Sequence, residues 1–442
     1  MEKERVIGNY IGYGVLNKDR NSDGVNNNSQ EAAERLRSKG YRTILIGPLV
    51  QGKEEDNVAD VTVGKAVKIP RAISRHYGTS YPITLPYNKE TATEVLDSIR
   101  PDIFVIDEPL LPGLGVHTIM SGMPRKEDGK PIPVTIGRFH GRFKWDFLAT
   151  TYKALGKAAK RPKFDQNGLP IGFTDGPYKT VIKDLYGTAI SNVTRDFVKE
   201  HYEIDCEVIH NGIDTDQFTQ EGPLKEDWEE QRKRDGKKII FSSGRIEGRK
   251  GQQYLLEACL KLKEAGHKFI LYLGGEEGVN RRQLERMVDK KELREYVIFV
   301  GNLPWEEYLK ALRTADVCVY PATGNEGFGR TPAEAVASGK IAVVSLIDGY
   351  NEAMEGVPFV LRAKPKDSDD LADKIKEGFA AADQKGREFA QLNHAYIEKR
   401  FGWEVTLDKL DRFFDERFQR HGGVDWSKLP PSGTLYERRS AK

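Results

Sequence analysis

Short apolar runs alternate with segments of helical periodicity along most of the chain. Ten runs have the length of a buried strand and end near glycine, proline or serine, as strands do before a β-to-α turn. They are VIGNYIG, YRTILIG, DIFVIDEP, IPVTIGRF and TAISNV in the first half, and KIIFSSG, KFILYLGG, YVIFVGN, VCVYPA and IAVVSLI in the second. Between them, GQQYLLEACLKLKEAG places Leu255, Cys259 and Leu262 on one helical face. The alternation predicts an α/β fold with parallel sheets covered by helices.

The same alternation predicts two domains. A chain of 442 residues is too long for one ordinary core, and the pattern restarts after the charged segment GPLKEDWEEQRKRDGKK, which is typical of a solvated connector. We predict an N-terminal Rossmann-like domain over residues 1–205 and a C-terminal one over 206–400. A helix over 401–420 and a tail over 421–442 would follow. In such folds, ligands bind at the carboxyl ends of the strands.

Composition indicates a globular protein without a general affinity for nucleic acid. Hydrophobic residues make up 38% of the chain and charged residues 31%, which favours a folded chain over a disordered one. The 69 Lys and Arg nearly balance the 67 Asp and Glu, so the formal net charge is +2. An anionic partner would therefore have to bind at a local basic patch.

Cysteine usage and hydropathy predict a cytoplasmic location. Cys206, Cys259 and Cys318 are too few and too widely spaced for a disulfide framework or a metal site. Cys259 and Cys318 lie in apolar patterns, and we expect both to be buried. The N-terminal MEKERVIGNYIGYG lacks the apolar run of a signal peptide, and no stretch approaches the ~18 apolar residues of a membrane span.

The segment EGFGRTPAEAVASGK follows the predicted strand VCVYPA and carries two glutamates eight positions apart. Thr331 as N-cap, Pro332 at the first helical position and Glu334 at the third would form a capping box, which by itself explains Glu334. Glu326 instead lies in the turn, where ligands bind in parallel sheets. Gly327 and Gly329 would let backbone N–H groups approach an anion there, next to a helix N-terminus.

Two further strand ends carry candidate chemistry. In SSGRIEGRKG, Arg245 and Lys250 are either solvated loop charges or ligands of a diphosphate, the guanidinium as a bidentate donor and the ammonium as a point charge. In VTIGRFHGRF, His140 follows an apolar strand and is a candidate for the ligand site. The loop after the first strand contains Gly24, in a stretch that also reads as an ordinary turn.

Four segments, in order and at suitable spacing, resemble glycosyltransferase family 4, and the segments EPLLPGLG and LPYN resemble in particular its phosphatidylinositol mannosyltransferase-like members. The four segments are HNGIDTDQF, SSGRIEGRKG, FVGNLPWEEYLKALRTADVCVYPA and EGFGRTPAEAVASG, the last containing the E-x7-E motif of the family. In PDIFVIDEPLLPGLG, Asp107 stands where a histidine is common. The resemblance covers about residues 5–415. It implies the GT-B architecture, in which two Rossmann-like domains face each other across a cleft.

The resemblance also implies roles for single residues. Glu326 would accept hydrogen bonds from the donor sugar and Glu334 from the ribose of the nucleotide, while Arg245 and Lys250 would bind the diphosphate. His140 would lie near the transferred sugar. The remaining donor-binding residues would be Gly24, Gly327, Phe328, Gly329 and Thr331. Gly24 departs from the pattern because NSDGVNNNS lacks the usual double glycine.

The implied reaction is the transfer of a hexose, with retention of configuration, from a nucleoside-diphosphate sugar to a hydroxyl acceptor. The donor is a substrate, and we expect no permanently bound cofactor and no required metal. Asp214-Thr215-Asp216 lies in a predicted loop, and Asp367-Ser368-Asp369 is more typical of a helix N-cap. Two alternatives stay open: a catalytically silent GT-B protein that binds a nucleotide sugar, and a sugar-nucleotide epimerase. GDP-mannose and UDP-glucose are both open as donors.

The segment from Gly141 to Lys163 has seven basic residues and one acidic residue. Trp145, Leu148 and Tyr152 fall near one helical face and Lys153 and Lys157 on the other, which is typical of an interfacial helix on anionic lipid as well as of a core helix with a basic outer face. Because some members of the family glycosylate lipids, we expect a lipid-linked or cell-envelope acceptor and peripheral binding to the inner membrane face. The pattern leaves the oligomeric state open.

Overall fold

The computed structural model describes residues 5–11, 24–49, 59–68, 82–84, 96, 98–107, 133–140, 185–275 and 280–422. These residues divide into two compact units. The first runs to Ile209 and takes up again from Leu407, and the second runs from His210 to Thr406. Each unit is built on one sheet.

The first unit contains an eight-stranded sheet in the order β4-β3-β2-β1-β5-β6-β7-β8. Among these strands only β3 and β4 pair antiparallel. The strands are β1 (Val6–Ile11), β2 (Arg42–Leu49), β3 (Val61–Lys68), β4 (Pro82–Thr84), β5 (Ile103–Asp107), β6 (Val134–Phe139), β7 (Tyr186–Ala189) and β8 (Cys206–Val208). The described helices that accompany them are α1 (Gly24–Ser38) and α2 (Asn192–Tyr202).

The second unit contains a six-stranded parallel sheet in the order β11-β10-β9-β12-β13-β14. Its strands are β9 (Lys238–Ser243), β10 (Phe269–Gly274), β11 (Val297–Gly301), β12 (Val317–Tyr320), β13 (Ile341–Ser345) and β14 (Leu361–Ala363). Its helices are α3 (Glu226–Asp235), a 3-10 turn (Gly248–Lys250), α4 (Gln252–Glu264), α5 (Arg281–Lys290), α6 (Trp305–Thr314), α7 (Arg330–Ala337), α8 (Asp348–Ala353) and α9 (Ser368–Phe401). The last helix, α10 (Trp403–His421), begins at the end of this unit.

The six-stranded sheet forms the core of the second unit because helices cover it. All residues of β10, β12 and β13 are buried, which explains their continuous apolar runs. Leu255 and Leu262 of α4 and Ile375 of α9 belong to one buried cluster with Leu271 and Val343 of the sheet. Full burial of each such side chain contributes about 1.5–3 kcal/mol.

All ten strands that the sequence predicts are present, although TAISNV ends as a strand at Ala189 and its last residues open α2. Cys259 and Cys318 are buried, as predicted, and all three cysteines are free. The interpretation of GPLKEDWEEQRKRDGKK as a connector is wrong. This segment forms α3, whose single buried side chain, Trp228, stacks on Tyr272 with ring centroids 3.7 Å apart. The helix also contacts the sheet through Gln231, which accepts from the hydroxyl of Tyr272 at 2.5 Å, and through Arg232, which lies 3.4 Å from Asp316.

Candidate functional site

The candidate site in the second unit lies where the strand order of its sheet reverses. From β9 the chain continues outward to β10 and β11, and it then returns to β12 on the other side of β9. Loops that leave such a switch point in opposite directions form a crevice at the strand ends. The loop after β9 carries Arg245 and Lys250, and the loop after β12 carries Glu326. The two loops touch, because the N–H of Thr323 donates to the carbonyl of Arg249 at 2.8 Å.

Glu326 joins the two loops through ion pairs with two cations. Its Oε1 lies 2.9 Å from Nζ of Lys250 and accepts a hydrogen bond of 2.5 Å from Nη1 of Arg249. The residue is only 9% exposed, so the carboxylate is largely removed from water. Two of the predicted site residues, Lys250 and Glu326, are therefore in direct contact although 76 positions apart in the sequence.

Two further residues of the loop after β9, Glu247 and Arg245, extend this contact into a longer series of ion pairs. Glu247, which is 3% exposed, lies between two guanidinium groups. Its Oε1 is 3.2 Å from Nη1 of Arg245, and its Oε2 accepts from Nε of Arg249 at 3.1 Å. The result is an ion-pair chain of alternating charge, formed in order by Arg245, Glu247, Arg249, Glu326 and Lys250. Sequence reasoning missed Glu247 and Arg249, although the alternating charges of RIEGRK were a visible signal.

The charges of the ion-pair chain shift one another's proton affinities. Burial raises the pKa of the Glu326 carboxyl, but Lys250 and Arg249 outweigh burial and hold that pKa below its usual range. Burial lowers the pKa of Lys250, and Glu326 opposes that effect. Glu326 is consequently ionised at neutral pH and can act only as a hydrogen-bond acceptor.

The turn after β12 has the geometry that its glycines predict. Gly329 has φ of +101°, and a Cβ added there would lie 2.7 Å from Cδ1 of Tyr350. The same turn packs closely against Gly349. A Cβ added at Gly349 would lie only 2.2 Å from the carbonyl oxygen of Glu326, so only glycine fits there. Phe328 is 2% exposed and packs against His210 and Phe401, with centroids 5.6 and 5.0 Å away. Its ring anchors the turn.

The predicted capping box at Thr331 is wrong. Helix α7 begins at Arg330 with Gly329 as its N-cap, and no side chain caps it. Because glycine adopts the left-handed conformation readily, the helix starts two residues earlier than the Thr-Pro pair suggests. Thr331 is thus an ordinary first-turn residue, and Glu334 does not reach back to a cap.

Glu334 is held by side chains on two helices. Its Oε1 accepts from Nε of Arg330, and its Oε2 accepts from the hydroxyl of Tyr308 in α6, both at 2.7 Å. Burial and the neighbouring carboxylate raise the pKa of Tyr308 well above its usual range, so its hydroxyl keeps its proton. The carboxylate is 4% exposed and fixed in orientation.

A second constellation in the first unit surrounds His140. Its Nε2 lies 2.7 Å from Oδ1 of Asp107, which is completely buried. Arg138 donates to both oxygens of Asp107, at 2.5 and 2.8 Å, and the hydroxyl of Ser29 donates to Oδ2 at 2.8 Å. Parallel pairing of β5 with β6 brings Asp107 opposite Arg138. The arginine inside the apolar strand IPVTIGRF was the signal that sequence reasoning did not use.

This buried network keeps Asp107 ionised. Burial would raise its pKa, but Arg138 and His140 overcome burial and hold the pKa well below its usual range. For His140, burial lowers the pKa from 6.5 while the hydrogen bond to Asp107 opposes that change. The imidazole is therefore neutral at pH 7 and oriented through Nε2.

Other predicted features lie elsewhere or outside the described residues. Gly24 is the first residue of α1, and the basic segment 141–163 lies outside the described residues. Asp214 is buried and accepts from the amide of Gln217 at 2.5 Å, whereas Asp367 caps α9 through the N–H groups of Asp369 and Asp370, as predicted. The described part of the chain contains no cluster of three or more His, Cys, Asp or Glu suited to a metal ion. None of its helices is long and apolar enough to cross a membrane.

Comparison with known proteins identifies the family to which the second unit is similar. Residues 225–388 match the family described as Glycosyl transferases group 1. A phosphatidyl-myo-inositol mannosyltransferase of Mycolicibacterium smegmatis is 27% identical over 405 residues, which are 89% of this chain and 90% of that protein. The enzyme of the same name from Mycobacterium tuberculosis is 27% identical over 231 residues, 51% of this chain, and the match covers 58% of its length.

Solved structures share the fold of both units. A glycosyltransferase from Rickettsia africae superimposes with a TM-score of 0.69 at 17% identity, covering 94% of this chain and 99% of that one. Anabaena HepE in complex with UDP-glucose gives a TM-score of 0.63 at 16% identity, covering 93% and 99%. These matches confirm the predicted two-domain α/β GT-B fold, and with the sequence relatives they confirm the predicted likeness to glycosyltransferase family 4.

Proposed function

We propose that this chain, a family 4-like glycosyltransferase, transfers a hexose from a nucleoside-diphosphate sugar to a hydroxyl acceptor with retention of configuration. The observation that carries the proposal is the contact between Lys250 and Glu326 at the switch point of the second sheet, beside Arg245. Cations suit the diphosphate of such a donor, and a carboxylate suits the hydroxyls of its sugar. A phosphate-binding site alone would have no use for the carboxylate.

The proposed chemistry requires stabilisation of the leaving diphosphate. The bond between the anomeric carbon and the diphosphate oxygen breaks, and its electron pair leaves with the diphosphate. Arg245, Lys250 and the N-terminus of α7 would stabilise that growing negative charge. The acceptor oxygen bonds to the same face of the sugar and its proton passes to the leaving phosphate. Removal of one stabilising group would cost on the order of 3 kcal/mol, or about a hundredfold in rate.

The donor and the other binding residues follow as parts of the same proposal. UDP-glucose, which HepE binds in its crystal structure, and GDP-mannose are the two donors to test first. Glu334 would accept hydrogen bonds from the nucleotide ribose, since Tyr308 and Arg330 already fix its orientation. The backbone of residues 327–329 would contact the sugar. The roles of His140, Gly24 and Thr331 are proposed on the sequence resemblance.

For the acceptor we propose a hydroxyl on an inositol-bearing lipid headgroup. The names of the mycobacterial relatives specify phosphatidyl-myo-inositol, and the basic segment 141–163 suits an anionic membrane surface. The first acceptors to screen are therefore phosphatidyl-myo-inositol and free inositol phosphates. Transfer to either one would distinguish a lipid-bound acceptor from a free one.

The test begins with donor binding and donor hydrolysis. UDP-glucose or GDP-mannose should raise the melting temperature, because a ligand that binds only the folded state stabilises it by mass action. Slow release of free sugar without an acceptor, followed by chromatography, should identify the productive donor. Glu326→Ala should retain nucleotide binding and lose about a hundredfold in turnover.

The matched control is Glu377→Ala, which removes an exposed glutamate paired with Lys374 on α9. It should leave both binding and turnover unchanged. Absence of any melting shift and of any hydrolysis across the nucleotide-sugar panel would refute the proposed function. Normal turnover by Glu326→Ala would refute the role of Glu326.

A further inference from the structure

The ion-pair chain neutralises most of its own positive charge. Its cations are Arg245, Arg249 and Lys250 and its carboxylates are Glu247 and Glu326, so its net charge is +1. Both carboxylates are buried. A diphosphate carries more negative charge than this cluster can neutralise without giving up an internal pair. The cations that suit the diphosphate are already bound by glutamates of the same chain.

We propose that Glu326 is an internal counter-ion that couples recognition of the sugar to binding of the diphosphate. In the structure its Oε1 pairs with both Lys250 and Arg249. A diphosphate that binds these cations must displace the carboxylate. Only a ligand that also brings hydroxyl donors gives the displaced carboxylate new partners. The inference rests on the proposed function and adds Arg249 as a third diphosphate-binding cation.

The coupling follows from the cost of an unpaired buried charge. A carboxylate removed from water loses much of its stabilisation when its cation is taken away. Free nucleoside diphosphate would therefore bind against a penalty, because it competes with Glu326 and leaves the carboxylate without a partner. A nucleoside-diphosphate sugar avoids that penalty through its hydroxyls. The site would then favour the intact donor over the nucleoside diphosphate that remains after transfer, which speeds release of that product.

Glu247 provides a matched comparison within the same chain. Like Glu326 it is buried and paired with Arg249, but its second partner is Arg245 and it lies in the loop after β9. Its neutralisation would raise the positive charge of the cluster by the same amount. It would not remove the carboxylate proposed to accept the sugar hydroxyls. Comparison of variants at the two glutamates therefore distinguishes an effect of charge alone from the proposed coupling.

The experiment is calorimetric titration of the full chain, its Glu326→Gln variant and its Glu247→Gln variant. UDP and GDP are titrated together with UDP-glucose and GDP-mannose. For Glu326→Gln we expect the nucleoside diphosphate to bind about tenfold more tightly, since a competing charge at contact distance is removed. The preference for the sugar nucleotide over the nucleoside diphosphate should fall by at least about tenfold. For Glu247→Gln both affinities should change by the same factor, so the preference stays constant.

If a folded Glu326→Gln variant keeps the wild-type preference for the sugar nucleotide over the nucleoside diphosphate, the inference is overturned. The proposed function still stands in that case, provided that the proteins bind the nucleotides. Binding of neither nucleotide nor sugar nucleotide by any of the three proteins would overturn both. If Glu326→Gln does not fold, Glu326→Asp gives the test, because the shorter side chain withdraws the charge from Lys250. For that variant we expect the preference to fall by about threefold, and an unchanged preference again overturns the inference.

Discussion

At the scale of single residues, both candidate constellations consist of buried charges that are compensated inside their own unit. Glu326 is paired with Lys250 and Arg249, and Asp107 is paired with Arg138 and hydrogen-bonded to the neutral His140. Buried ion pairs contribute little net stability, but the loss of one partner is costly. Such groups are therefore fixed in position and in ionisation state, which are the properties that a binding or catalytic site requires.

The buried, neutral His140 predicts a pH-dependent stability. Its pKa in the folded state is below the unfolded value of 6.5, so between these two values the unfolded chain binds more protons. Stability must then rise with pH in that window and fall as the pH drops below about 6.5, by up to about 1.4 kcal/mol per pH unit. Urea unfolding of the wild type and of His140→Gln between pH 7.5 and 5 measures the slope, which should be flatter in the variant.

The control for this measurement is His267→Gln, a half-buried histidine in the connection from α4 to β10. A flattening seen in His140→Gln and not in this variant can be assigned to His140. Parallel pH profiles for the wild type and His140→Gln would show that the imidazole is not held neutral by its surroundings.

At the scale of elements, the predicted and missed strands differ in position and length. The ten predicted strands are mostly central, and their burial on both faces makes them continuous apolar runs. The four missed strands are β3, β4, β8 and β14, three of which have three residues and lie at a sheet edge. A strand so short offers no period to recognise. Helix α3 was missed because its fixing contact, Trp228 on Tyr272, is tertiary.

The turn before α7 yields a prediction for Gly329. An alanine there would adopt a positive φ and place its Cβ 2.7 Å from the ring of Tyr350, which is itself 1% exposed and cannot move freely. Strain of about 1 kcal/mol and overpacking of about 1–3 kcal/mol add, so Gly329→Ala should lower the free energy of unfolding by about 2–4 kcal/mol. Chemical denaturation gives this value directly.

Gly266→Ala is the matched control, because Gly266 also has a positive φ, of +76°, but no atom lies within 4 Å of the Cβ it would gain. It should cost only the strain of about 1 kcal/mol. Equal losses for the two variants would mean that contact with Tyr350 does not constrain the turn.

At the scale of the whole molecule, the sequence predicted the fold more completely than the details of the site. Strand and helix periods fix the order of elements, and the order fixes which loops meet at a switch point. That reasoning places the loops of Lys250 and Glu326 at one edge of the sheet, and in the structure the two side chains are in contact. It did not identify Glu247, Arg249 or Arg138 as partners, because the alternating charges of RIEGRK and the arginine of IPVTIGRF are equally typical of solvated residues. Only the three-dimensional pairing distinguishes these residues from others of the same type.

The distribution of charge along the whole chain leads to a prediction about binding to anionic membranes. The whole chain carries +2, yet residues 141–163, which lie outside the described residues, carry seven basic side chains and one acidic side chain. Each basic residue near an anionic surface contributes about 1 kcal/mol, and the attraction decays within a Debye length. We therefore expect the protein to sediment with vesicles containing phosphatidylserine at low salt, not with pure phosphatidylcholine vesicles, and to be released by about 0.5 M salt.

Position can be separated from net charge by two triple variants that each change lysine to glutamate and alter the total charge equally. The test variant changes Lys153, Lys157 and Lys160, and the control changes Lys374, Lys376 and Lys399 of α9. If the basic segment binds the membrane, sedimentation is lost in the first and retained in the second. Equal loss of sedimentation in both variants would mean that overall charge causes the binding. If the wild type does not sediment with the vesicles at low salt, the proposed binding to a membrane surface is wrong.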